Sequence, residues 1–146
     1  MLRNTKYRVL FVCIGNSCRS PMAEAIARHH ASEIIEASSA GLFPLGYIVE
    51  PTIAALTANG YSSEGLSSKR LFLADLAEAD LVVNLSGHPI DGVPAYRAKV
   101  EEWPVEDPYG TDLATYQRIL EEIERRVLTL AARFRSQPNG TQSEYA

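Results

Sequence analysis

The chain has 146 residues and a mass of 16.1 kDa, with 14 basic against 18 acidic side chains, a net charge of −4 and a pI near 5.4. So acidic a chain lacks the dense basic face that a phosphate backbone needs, which argues against nucleic-acid binding. No stretch approaches the roughly 18 apolar residues of a membrane span, and two cysteines cannot staple a disulfide scaffold. An apolar content of 46 % then implies a small soluble, cytoplasmic protein. We expect one domain over residues 1–136, a monomer with a weak dimer as the alternative, and a polar, disordered tail over 137–146 that contains Pro138-Asn139-Gly140.

Arg3, Lys6 and Arg8 ahead of the apolar run Val9 to Ile14 imitate the start of a signal peptide. The run is short and ends in Gly15-Asn16 without a small-residue cleavage pattern, so Tyr7 to Val12 reads as a buried first strand. Ser20-Pro21 opens a helix to about Ser32, with Ser20 as N-cap and Glu24 in the first turn. Ile34 to Ala37 is a second strand, closed by a turn over Ser38-Ser39-Ala40-Gly41. A loop over 42–50 leads to a helix from Pro51 to Asn59, which Asn59-Gly60 terminates. Leu71 to Ala79 reads as helix and Asp80 to Leu85 as the third strand. A loop with Gly87, Pro89, Gly92 and Pro94 precedes a fourth strand from Ala98 to Trp103, whose tryptophan is expected in the core. The last helix starts near Asp112. Its apolar stripe is Leu113, Tyr116, Leu120, Ile123, Val127, Leu130 and Phe134, with Glu121–Arg125 and Glu122–Arg126 pairs on the wet side. Strands alternating with helices give an α/β fold: a three-layer α/β/α, doubly wound, four-stranded parallel sheet whose ligands sit beyond the carboxyl ends of the strands.

That position is occupied by Cys13-Ile14-Gly15-Asn16-Ser17-Cys18-Arg19-Ser20, a phosphate loop between strand 1 and helix 1. Unpaired N–H groups of the loop, together with the helix dipole, form a cradle for an anion. Gly15 permits close backbone approach and Asn16 tolerates a left-handed conformation. Arg19 supplies a planar fork for two phosphate oxygens. The same positive field should lower the Cys13 pKa and make it a nucleophile, with Ser20 donating to its sulfur.

Cys-x5-Arg-Ser directly after the first strand, within the longer run from Val9 to Ala25, resembles the low-molecular-weight protein tyrosine phosphatases. So do Ser39-Ala40-Gly41 and Asp107-Pro108-Tyr109-Gly110. The resemblance implies a metal-free, cofactor-free phosphatase that acts on a phosphotyrosine protein or an aryl phosphate. In it Cys13 is the nucleophile, Arg19 and the loop amides of Ile14, Gly15, Asn16, Ser17 and Cys18 bind phosphate, and Asp107 is general acid and base. An acidic pH optimum follows from pairing a protonated Asp107 with a Cys13 thiolate. Asn16, Ser20 and Ser39 would form the supporting network, Tyr109 and Ile14 the cleft walls, and Phe43 and Tyr47 part of the rim. The family often carries a second cysteine at the place of Cys18, which then reads either as core or as an oxidation partner of Cys13.

Zinc is disfavoured because His29, His30 and His88 show no ligand spacing with the cysteines, and Gly41 to Gly46 lacks the Lys-Ser/Thr of a nucleotide loop. The chief rival is arsenate reduction on the same fold. A self-contained relay needs further thiols, and Asn84-Leu85-Ser86-Gly87 holds none, which leaves a route through an external thiol such as glutathione with glutaredoxin. A cysteine phosphocarrier has no use for Arg19 and Asp107.

Overall fold

The computed structural model describes residues 6–90 and 99–137. In β1 (Tyr7–Cys13) every residue from Val9 onward is buried. Successive strand side chains point to opposite faces, so an unbroken buried run needs cover on both. Val9, Phe11 and Cys13 enter the larger core, while Leu10 and Val12 enter a smaller one. The larger core receives side chains from α1 (Arg19–Ala31), α2 (Glu50–Ala58) and α4 (Leu113–Arg135). Phe11 lies 5.9 Å from Trp103, which is core as expected. The smaller core is closed by Leu76 of α3 (Leu73–Glu78). Each such large apolar side chain contributes about 1.5–3 kcal/mol by leaving water.

With β2 (Ile35–Gly41), β3 (Leu81–Asn84) and β4 (Val100–Glu102) the sheet is four-stranded and all-parallel, in the order β2-β1-β3-β4. The chain leaves β1 toward β2 on one side and later returns to β3 on the other. The carboxyl end of β1 is therefore the topological switch point. The three-layer expectation is met. Among the described residues no helix is long and apolar enough to cross a membrane.

Several local expectations are corrected. Ser38 to Gly41 is no turn but the second half of β2, in register with Leu10 to Cys13. Ladder bonds to a buried central strand outweigh the turn preference of serine and glycine. Helix α1 starts at Arg19 with Cys18 in the cap position and no side-chain cap bond. The Ser20 hydroxyl is taken by Cys13 and Asn16 instead, and Glu24 falls beyond the first turn. Helix α3 begins only at Leu73, because Leu71 pairs its N–H with the Gly41 carbonyl at 2.9 Å. Asp112 caps α4 by accepting from the Thr115 N–H at 3.0 Å, as its position suggested. Leu113, however, is exposed and leaves the stripe, which gains Ile119 and Ala131. Glu122 pairs with Arg126 at 3.5 Å, whereas Glu121 accepts from Gln117 at 2.9 Å. Gln137, assigned to the tail, accepts from the Tyr7 hydroxyl at 2.9 Å. Arg3, Gly92, Pro94, Ala98 and Pro138 onward lie outside the described residues.

Candidate active site

Five residues join β1 to α1, and the turn they make is forced. Asn16 adopts φ +50°, the left-handed region that asparagine tolerates best among residues with a Cβ. Opposite it, a Cβ on Gly41 would stand 2.8 Å from the Ile14 carbonyl oxygen and 2.9 Å from the Asn16 Cβ. Only glycine lets the end of β2 lie flat against the loop.

Bonds from distant residues then fix the loop. Phe43 and Leu45 donate main-chain N–H groups to the carbonyls of Ile14 and Gly15, at 2.8 and 2.9 Å. Ser68 Oγ donates to the Gly15 carbonyl at 2.9 Å, and the buried Thr52 Oγ1 to that of Ser17 at 2.8 Å. The Lys69 N–H donates to Asn16 Oδ1 at 2.9 Å, which sets the direction of that amide. Asn16 Nδ2 then faces Ser20 Oγ at 2.7 Å and Ser39 Oγ at 3.0 Å. With the carbonyls engaged from behind, the N–H groups of Gly15 to Cys18 have no acceptor among the described residues. They are the donors that an oxyanion in the loop would take.

Cys13 Sγ lies at the base of this cradle, 3.0 Å from Ser20 Oγ and 3.4 Å from the Ser20 N–H. Arg19 is buried, its side chain 4 % exposed. Nη1 donates to the carbonyls of Leu85 (2.6 Å) and Val105 (2.9 Å), which anchors one edge of the guanidinium to the ends of β3 and β4. Nη2 lies 3.4 Å from Asp107 Oδ2, and Nε is buried without a partner among the described residues. The Nε–Nη2 edge is thus the fork that remains for two anion oxygens, and a buried unpaired donor of this kind calls for one.

Asp107 reaches the same pocket from the segment before α4. Its Oδ1 accepts from the Tyr109 N–H at 3.1 Å, and Gly110 closes the turn at φ +82°. Cys13, Ile14, Gly15, Ser17, Cys18, Arg19, Asp107 and Tyr109 all line one cavity of about 180 Å³, together with Phe43 and Leu45. Of the sequence-predicted site, Asn16, Ser20 and Ser39 stand behind that wall. Tyr47 does not line the cavity, although Phe43 does; Leu45 takes the rim position instead. Cys18 is a free thiol, like Cys13. It packs in the larger core with Sγ 3.5 Å from the Tyr116 hydroxyl, and burial pushes its pKa up.

The model of the low molecular weight phosphotyrosine protein phosphatases matches residues 8–139. The chain belongs to this family. Among its relatives, an arsenate reductase of Halalkalibacterium halodurans is 35 % identical over 84 % of this chain and 94 % of its own length. A probable low molecular weight protein-tyrosine-phosphatase of Ralstonia nicotianae is 31 % identical over 88 % and 96 %. A solved arsenate reductase in the phosphate-binding state superposes with a TM-score of 0.80 at 29 % identity, over 88 % of this chain and 98 % of that one. Proteins named as phosphatases and proteins named as arsenate reductases thus both stand among the relatives, and both chemistries begin with a tetrahedral oxyanion.

Residues that the sequence reading passed over are those that brace the loop: Gly41 as a contact surface, Thr52, Ser68, Lys69 and, through Ser39, Glu24. Thr52, Ser68 and Lys69 lie 35 to 53 residues from their partners, in segments without a motif. No local signal marks them, because they act through hydrogen bonds that exist only once the chain has folded.

Proposed function

We propose that the protein is a cytoplasmic phosphatase of aryl phosphate monoesters, with phosphotyrosine as the substrate class. The reading rests on one observation above all. The Cys13 thiol, the Nε–Nη2 edge of Arg19 and the Asp107 carboxyl share a single small cavity whose mouth carries the exposed ring of Tyr109. In the proposed first step the Cys13 thiolate attacks phosphorus, the S–P bond forms and the P–O bond to the phenol breaks. Asp107 in its acid form gives its proton to the departing oxygen. Arg19 and the unpaired N–H groups from Gly15 to Cys18 hold the three equatorial oxygens. In the second step water, relieved of a proton by Asp107, attacks phosphorus, and the S–P bond breaks to return the thiolate. The Ser20 hydroxyl, 3.0 Å from the sulfur, stabilises the thiolate as it leaves. A nucleophile that must stay reduced suits a cytoplasmic setting.

The test is hydrolysis of an aryl phosphate from pH 4.5 to 8, in chelator, by the native protein, Cys13→Ser and Asp107→Ala. Chelator-resistant turnover that vanishes in Cys13→Ser supports the reading; a folded, reduced native protein without turnover ends it.

Arsenate reduction is the second reading, favoured by the relatives that bear that name. In that chemistry the Cys13 thiolate would displace an oxygen from arsenic as water, and a second thiol must then attack the Cys13 sulfur, so that the S–S bond forms, the S–As bond breaks and the two sulfurs together give arsenic two electrons. Cys18 is the only other cysteine, and it is buried against Tyr116 with a raised pKa. The reading therefore needs an external thiol. Arsenate-dependent NADPH oxidation with glutathione, glutaredoxin and glutathione reductase tests it.

A further inference from the structure

One buried carboxylate takes no part in the proposed reaction. Glu24 lies on α1, 2 % exposed, on the side of the loop away from the cavity. We propose that Glu24 is a positioning residue for Cys13: through Ser39 and Asn16 it holds the Ser20 hydroxyl with its proton on the Cys13 sulfur. The inference rests on Cys13 being the nucleophile.

The argument follows the direction of each hydrogen bond. A carboxylate accepts and does not donate. One Glu24 oxygen is taken by the Arg28 guanidinium, one helical turn along. The other accepts from Ser39 Oγ at 2.5 Å, so the Ser39 proton points at Glu24 and its lone pairs turn toward Asn16. Asn16 Nδ2 donates to that oxygen at 3.0 Å, and its second proton goes to Ser20 Oγ at 2.7 Å. The amide cannot reverse, because Oδ1 is occupied by the Lys69 N–H, with Lys69 Nζ a further 3.4 Å contact. Ser20 Oγ, having accepted from Asn16, has its own proton left, and Cys13 Sγ at 3.0 Å is the acceptor in reach. Every member of the chain from Glu24 to Cys13 is buried, so water does not compete for these groups. With the Asn16 amide set by the Lys69 N–H, the Glu24 charge fixes the Ser39 proton and keeps the Ser39 oxygen an acceptor for Nδ2, so the two together fix which way the near end points.

The charged and titratable groups around the two ends are few. Glu24 is paired with Arg28 from its own helix and feels the charge of Lys69 from the segment following α2; Cys13 shares its cavity with Arg19, Asp107, Tyr109 and the Cys18 thiol. Glu24→Gln keeps the shape but leaves one acceptor oxygen for two donors. It must lose either Arg28 or Ser39, and an amide N–H aimed at Ser39 competes with Asn16. Ser39→Ala cuts the chain in the middle by deleting one hydroxyl.

The experiment reads the nucleophile without any substrate. Iodoacetamide alkylation of Cys13, located by fragment mass spectrometry to separate it from Cys18, is followed from pH 4 to 9 in the native protein, in both variants and in the double variant. The expected result is a Cys13 curve displaced to higher pH in Glu24→Gln, with the rate at pH 6 lowered about 3- to 10-fold, the size of an ordinary hydrogen bond's net contribution, because the effect reaches the sulfur through neutral groups. Ser39→Ala should behave alike, and the double variant no worse than the worse single, because both act through one chain. A Glu24→Gln curve that superimposes on the native one overturns the proposal, as does simple additivity in the double variant. Should Glu24→Gln fail to fold, Ser39→Ala carries the test, since an unchanged curve there means that nothing behind Ser39 reaches the sulfur. The phosphatase reading fails by a different result, an alkylatable Cys13 with no turnover of aryl phosphate.

Discussion

Two segments meet at the cavity, and they are built in opposite ways. The loop from Cys13 to Arg19 is mostly buried, with its carbonyls and the Asn16 side chain engaged by residues from β2, α2 and the 68–69 segment. Asp107 and Tyr109 stand in solvent on either side of the buried Pro108: the Asp107 side chain is 45 % exposed and Tyr109 55 %, and one Asx bond and the Arg19 contact hold the two. The difference suits two tasks in the proposed reaction. Stabilising a fixed charge distribution requires donors that need not reorganise. Proton transfer to a leaving group, and then from water, requires a carboxyl that both can reach. Rigidity and access are divided between two segments.

Substitutions should therefore act differently on the two sides. Cys13→Ser is expected to abolish turnover while the protein stays folded, as read by activity alongside thermal unfolding, because the site loses its nucleophile and little else. Asp107→Ala should lower kcat about 10²- to 10⁴-fold, the usual worth of general acid–base catalysis. That loss should shrink for aryl phosphates with more acidic phenols, whose oxygen departs without help. If the loss is equal for every phenol, Asp107 acts through Arg19 and the division of labour is wrong.

Gly41→Ala tests the rigid side without touching the cavity. Its Cβ would meet main chain at 2.8 Å, and overpacking of this kind costs about 1–3 kcal/mol. Denaturant unfolding should show the destabilisation, accompanied by weaker phosphate binding. On the open side, Tyr109→Ala should leave stability alone and raise KM for an aryl phosphate only a few-fold, near the roughly 0.5–1.5 kcal/mol of an aromatic pair.

Cys18 gives the smallest effect and a check on pH. Burial raises its pKa, so the folded state favours the thiol over the thiolate. Its contribution to stability is present below the ordinary thiol range and is lost as pH rises through the folded value. Between pH 6 and 8 a single alkylation, at Cys13, is expected by mass spectrometry. Equal modification of both cysteines would mean that the loop is looser than its bonds suggest.

The sequence by itself determined whatever rests on neighbours along the chain. The buried strand into Cys13, the left-handed Asn16, the Asp112 cap of α4 and the Asp107-Pro108-Tyr109 turn are set by side chains acting on their own backbone within a few residues. The order of strands and helices was legible for the same reason, since burial on one face or two leaves a period in the sequence. Tertiary structure decided what depends on partners remote in sequence. Ser38 to Gly41 became strand because β1 offered a ladder. Ser20 abandoned the cap because a thiol and an amide were closer. The loop found its braces in Thr52, Ser68 and Lys69, and Glu24 found Ser39 across the β2–α1 contact. A hydrogen bond between two buried groups has no periodicity and no local propensity. It exists only when the packing of separate elements brings a donor within about 3 Å of an acceptor and shuts out water.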